Sequence, residues 1–234
     1  MPISLDNVKT FHIVFHPDTG GNHLANLLST HEIFLPRFSS ENYIEDLYQL
    51  YNKKSKTNFV EGKLNMVYNA HPGYVYPIEY ILQNRYFLKN RNSKKIYIVT
   101  GHHYHYTEAY KNKTLDFVDI KASILVSNIT TEGRAYKRFR AIAIVDKKIT
   151  KQEIYKFYTT YCPVLPYTIG EKIIINEKNG AVLNVDNFFM DEGSYYLQDF
   201  MKTNFDIQLP DIIHDLHKLW TITIDRSIEL AENK

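Results

Sequence analysis

Short, almost unbroken apolar runs alternate along this chain with stretches whose apolar residues recur every three or four positions. Phe11–Phe15, Asn65–Asn69, Ile96–Thr100 and Ser123–Ser127 are runs of the first kind, each followed by polar residues or glycine. Such runs suit strands covered on both faces, as in a parallel sheet. A fifth region, Lys172–Val185, has two apolar runs around Glu177-Lys178-Asn179-Gly180. It reads either as a hairpin turned at Asn-Gly or as one strand and a loop. Helical spacing joins Leu24, Leu27 and Leu28, and again Ile44, Leu47, Tyr48 and Tyr51. Pro77 is placed to open a helix carrying Ile78, Ile81 and Leu82. Thr150 and Glu153 form a capping box before Ile154, Phe157 and Tyr158. Pro210 precedes Ile213, Leu216, Trp220 and Ile224, again at helical spacing. Strands alternating with helices predict a three-layer α/β fold with a central parallel sheet of four or five strands flanked by helices.

Composition narrows the picture. The chain has 234 residues, 44% hydrophobic and 23% charged, with no repeat, low-complexity tract or long linker. A single domain over residues 1–234 is expected, large enough to bury a core without staples. A formal net charge of +2 gives no global electrostatic case for duplex nucleic acid. The single cysteine, Cys162, excludes an internal disulfide and fits a reducing compartment. The start, MPISLDNVKT, lacks the basic-then-apolar pattern of a signal peptide. No apolar run is long enough to span a bilayer. The expectation is a soluble, cytoplasmic protein with no membrane partner.

In α/β folds with parallel sheets, ligands sit at the carboxyl ends of the strands. After the first strand come His16-Pro17-Asp18-Thr19-Gly20-Gly21-Asn22-His23 and then a helix. The glycines permit a tight turn and close approach of the backbone to a ligand. The unpaired amides of the following helix start attract an anion, and Thr19, Asn22 and His23 add side-chain groups. The alternative is a plain strand-to-helix turn in which the glycines only relieve strain. The loop is not a Walker A motif: Asn22 and His23 follow the second glycine, and the phosphate-binding lysine is missing.

The segment FHIVFHPDTGGNHLANLLS resembles the 5′-phosphosulfate loop of sulfotransferases, with Pro17, Thr19 and Gly20 matching its Pro-Lys-(Ser/Thr)-Gly turn. Asp18 stands where that family carries its catalytic lysine. Lys95–His103 resembles the family strand that ends in a Thr/Ser-His pair, whose histidine is the general base. Ala122–Arg134 resembles the segment that binds the nucleotide 3′-phosphate, with the family's arginine and serine exchanged into Ser127 and Arg134. The stretch from Val185 through Leu209 to Trp220 resembles the family's C-terminal strand, acidic-aromatic turn and two helices. The Thr-Gly-Gly-Asn-His-Leu form is similar to phage and bacterial sulfotransferase-like proteins, which would put a phage protein in the host cytoplasm. The resemblance implies a P-loop-like fold and sulfuryl transfer from 3′-phosphoadenylyl sulfate to a hydroxyl or amine acceptor, with no metal.

Six histidines crowd the expected strand ends: His16, His23, His71, His102, His103 and His105. Sulfuryl transfer needs a base for the acceptor proton, and imidazole titrates in the right range. His102 and His103 are the first choices and His71 the competitor. A surface histidine pair without a role and a metal site using His103 and His105 are the alternatives. His12 reads as structural, and His214 and His217 as surface or partly buried helix residues. Among the basic residues Arg134, Lys137, Arg138 and Arg140, Arg134 and Arg138 share one helix side. They read either as a 3′-phosphate clamp or as a solvated face. Two rivals to a transferase remain: a P-loop-like phosphate binder without transfer, and a non-enzymatic interaction protein on the same fold.

Overall fold

The computed structural model describes residues 9–15, 19–35, 42–56, 94–102, 119–127, 133–146 and 179–233. The expected strand at Asn65–Asn69, the helices at Pro77 and Thr150, and the run before Glu177 lie outside them. The fold is mixed α/β, built on a four-stranded, all-parallel sheet with helices. The strands are β1 (Lys9–Phe15), β2 (Tyr97–His102), β3 (Asp119–Ser127) and β4 (Gly180–Asn184), in the order β2-β1-β3-β4. The helices are α1 (Gly21–Leu28), α2 (Tyr43–Lys56), α3 (Arg134–Asp146), α4 (Val185–Phe188), α5 (Gly193–Phe205) and α6 (Ile212–Glu232).

The chain divides into two compact units. The first holds β1, β2, α1, most of β3 and most of β4. β1 pairs in parallel with β2, from Thr10 opposite Tyr97 to Phe15 opposite His102. On its other edge it pairs in parallel with β3, from Lys9 opposite Asp119 to Val14 opposite Leu125, with an irregularity between Thr10 and Phe11. Phe11, Ile13 and Phe15 on one face of β1 and His12 and Val14 on the other are all buried, so this strand is covered on both faces. His12 is fully buried too, and its Nε2 lies 2.9 Å from the Thr10 hydroxyl, the structural role expected of it. α1 packs on β1 and β2, and its Leu24, Leu27 and Leu28 are fully buried. After α1 the chain returns to the sheet: Phe34 bridges Ile96, and its ring meets Phe11 edge-on at 5.3 Å.

The second unit contains α3, α4, α5, α6 and most of α2. Asn184 ends β4 and caps α4, its side-chain oxygen accepting from the Asn187 amide at 3.1 Å. The extended chain therefore stops one residue short of the expected Val185. Phe188 and Phe189 then turn inward and meet Trp220 of α6 at 5.6 and 4.7 Å between ring centroids. With Leu197, Met201, Ile213, Leu216 and Ile224 they form this unit's core.

Candidate functional site

β1 and β2 end side by side, because Phe15 is the register partner of His102. β3, on the other edge of β1, runs on to Ser127. Within the first unit, the carboxyl end of the sheet thus carries two sequence-predicted positions on its backbone, the turn after β1 and His102, whereas Ser127 belongs to the second unit. His103, His71 and Asp18 lie outside the described residues.

Past β1, Thr19 is fully buried and Gly20 adopts the left-handed conformation, φ 77° and ψ 10°. That conformation is strained for any residue with a Cβ, so this glycine is required by the turn. The Gly20 carbonyl accepts the first helical bond, from the Leu24 amide at 2.9 Å. The N-cap, Gly20, has no side chain with which to cap α1, and no carboxylate stands in the helix's first turn. The helix start therefore keeps its attraction for an anion.

Gly21 has a different explanation. A Cβ built there would lie 2.2 Å from carbons of the Phe15 ring, itself buried at the end of β1. The missing side chain makes room for a core phenylalanine, where the sequence pointed to ligand approach. Asn22 is half-buried, and His23 is buried with the apolar face of α1.

The two expected phosphate-clamp arginines are engaged inside the second unit. Arg134 donates from Nη1 to Asp191 at 2.7 Å and to the Phe189 carbonyl at 3.1 Å. Its Nε and Nη2 both donate to Asp225. Burial works against its charge, but the bonds to Asp191 and Asp225 outweigh it and hold the guanidinium still more firmly protonated than usual. Arg138 is 3% exposed, its guanidinium 5.8 Å from the centroid of the Phe189 ring. Neither arginine is on a solvated face.

His217 corrects the expectation of a surface or partly buried residue. It is fully buried between Phe188 and Trp220, with Nε2 3.0 Å from the Met190 carbonyl. A carbonyl only accepts, so the neutral ring carries its proton on Nε2. Burial lowers its pKa to about 4; the Met190 bond opposes this and the Arg134 charge reinforces it. Its position was readable: His217 lies four residues after Ile213 and three before Trp220, in the apolar stripe of α6. The Arg134 cluster gave no such signal, since its carboxylates lie 57 and 91 residues away.

Among the described residues no group of three metal-binding side chains comes together, and no helix is long and apolar enough to cross a membrane. Comparison with protein-family models, curated proteins and solved structures finds no match to this chain.

Proposed function

We propose that the carboxyl end of the sheet, where the chain turns through Gly20 into α1, holds the 5′-phosphosulfate of 3′-phosphoadenylyl sulfate, and that the protein transfers the sulfuryl group to a hydroxyl or amine. One observation carries the reading. His102 is paired with Phe15, so a histidine ends β2 beside the strand that leads into a helix start whose N-cap is a glycine. Thr19, Gly20, Gly21, Asn22 and His23 make up the donor loop, and Ser127 is the 3′-phosphate candidate by the sequence resemblance alone. In the reaction the acceptor oxygen or nitrogen bonds to sulfur as the sulfur–oxygen bond to the phosphate breaks. Adenosine 3′,5′-bisphosphate leaves, and the acceptor proton passes to His102 or His103, with His71 as the competing base. Helix-start amides stabilise the charge on the leaving phosphate. Arg134 and Arg138 act by fixing α3, since both are already engaged within their own unit.

A second reading, nucleotide or phosphate binding without transfer, draws on Asp18, whose carboxylate repels the anion that the family's lysine would neutralise. Calorimetry with adenosine 3′,5′-bisphosphate tests the shared binding claim. Asp18→Lys is expected to tighten binding by about tenfold or more. Weaker binding by this variant would give Asp18 a positive role in the loop, and release of the bisphosphate from the donor only in the presence of an acceptor would separate transfer from binding.

A further inference from the structure

The basic residues of α3 divide by face. Arg134 and Arg138 turn inward, whereas Lys137 and Arg140 are exposed and share a side with Ala141. On α6, Ile228, Ala231 and Glu232 also share one side. The two faces enclose a groove of about 210 Å³. That volume corresponds to roughly seven waters. Ala141 and Ala231 contribute only a methyl group each to its lining. Among the described residues Lys137, Arg140 and Glu232 make no ion pair or side-chain hydrogen bond. Two cations without an ion-pair partner therefore line one wall above an apolar floor, and among the described lining residues the one carboxylate, Glu232, belongs to the opposite helix.

We infer that this groove binds a small phosphate monoester, its phosphate at Lys137 and Arg140 and a compact apolar body over Ala141, Ile228 and Ala231. Two cations match a dianion, and a carboxylate would need only one of them. Arginine's planar fork and lysine's point charge both suit phosphate oxygens. Glu232 opposes ligands with a second anionic group at the far end. The site involves only α3 and α6 and does not depend on the function proposed for the sheet.

Phenyl phosphate titrated into the whole protein, followed by amide NMR shifts, tests this. Shifts are expected to concentrate on residues 137–141 and 228–232. The double variant Lys137→Ala/Arg140→Ala is expected to lose about tenfold or more in affinity. Both side chains are exposed and unpaired among the described residues, so the fold should be unaffected. Glu232→Gln should tighten binding, and Ala231→Leu should abolish it by filling the groove. Benzoate should bind at least about tenfold more weakly than phenyl phosphate. Shifts elsewhere only, an unchanged affinity in the double variant, or equal binding of benzoate would overturn the assignment.

Discussion

Arg134, the first residue of α3, donates from both Nε and Nη2 to a single carboxylate oxygen of Asp225, 91 residues further along the chain. Its remaining nitrogen bonds Asp191 and the Phe189 carbonyl, so one side chain ties α3 to α6 and to the turn after α4. The arginine is largely covered, but Asp191 and Asp225 are 71% and 48% exposed. Solvent screening therefore limits what the cluster contributes. A double-mutant cycle with Arg134→Met and Asp225→Asn should give a coupling of about 1–2 kcal/mol in urea unfolding. A coupling near zero would mean the contact does not hold the helices together. Arg134→Lys should recover only part of it, because an ammonium cannot reach all three partners.

The Gly20-Gly21 pair makes a prediction about folding. Gly21→Val should destabilise the protein by about 1–3 kcal/mol, through overpacking against Phe15. Gly20→Ala should cost about 1 kcal/mol through its backbone conformation alone. Thermal unfolding of the two variants checks both, and Gly21→Val with wild-type stability would contradict the Phe15 contact.

His217 predicts the acid limb of stability. Its folded pKa of about 4 lies below the ordinary 6.5, so between those values the unfolded chain binds the proton more readily. This contribution is complete above about pH 6.5 and is lost as the pH falls through the window to about 4, in total about 3 kcal/mol. His217→Gln, which keeps a donor for Met190 but does not titrate, should flatten the dependence of unfolding free energy on pH between 4 and 6.5. An unchanged slope would place the titrating group elsewhere.

Apolar patterning made β1, β2, β3 and the helices α1, α2 and α6 legible, whereas α3 and α5 were expected only through the family resemblance. β3 begins at Asp119, earlier than the run Ser123–Ser127, because Lys121 is exposed between buried Ile120 and Ala122. A continuous-run criterion excludes that alternating start. α4 has only four residues, too few to show a period, and is marked instead by its Asn184 cap. In the candidate site, the loop glycines and the strand-end position of His102 were visible as local sequence. The reason for Gly21 was not, since it depends on where the Phe15 ring lies. The side of α3 shared by Arg134 and Arg138 followed from helical spacing. The facing Asp225 and Phe189 depend on how α6 and α4 pack, which spacing within α3 does not encode.

Among the strand-end histidines, the true base should affect turnover far more than nucleotide affinity. His102→Ala or His103→Ala is expected to lower sulfuryl transfer by about 10² to 10⁴ while leaving adenosine 3′,5′-bisphosphate binding nearly unchanged. His71→Ala serves as the comparison. If His71→Ala alone produces the loss, the base lies there and not at the end of β2.

The central claim is that the turn from β1 into α1 is the phosphate site, and amide NMR on the intact protein reads it most directly. Titrating adenosine 3′,5′-bisphosphate should move the Gly20, Gly21 and Asn22 amides downfield in a saturable manner, as hydrogen bonds to phosphate oxygens form. Saturable binding that leaves these three amides in place, or no binding at millimolar nucleotide, would contradict the account.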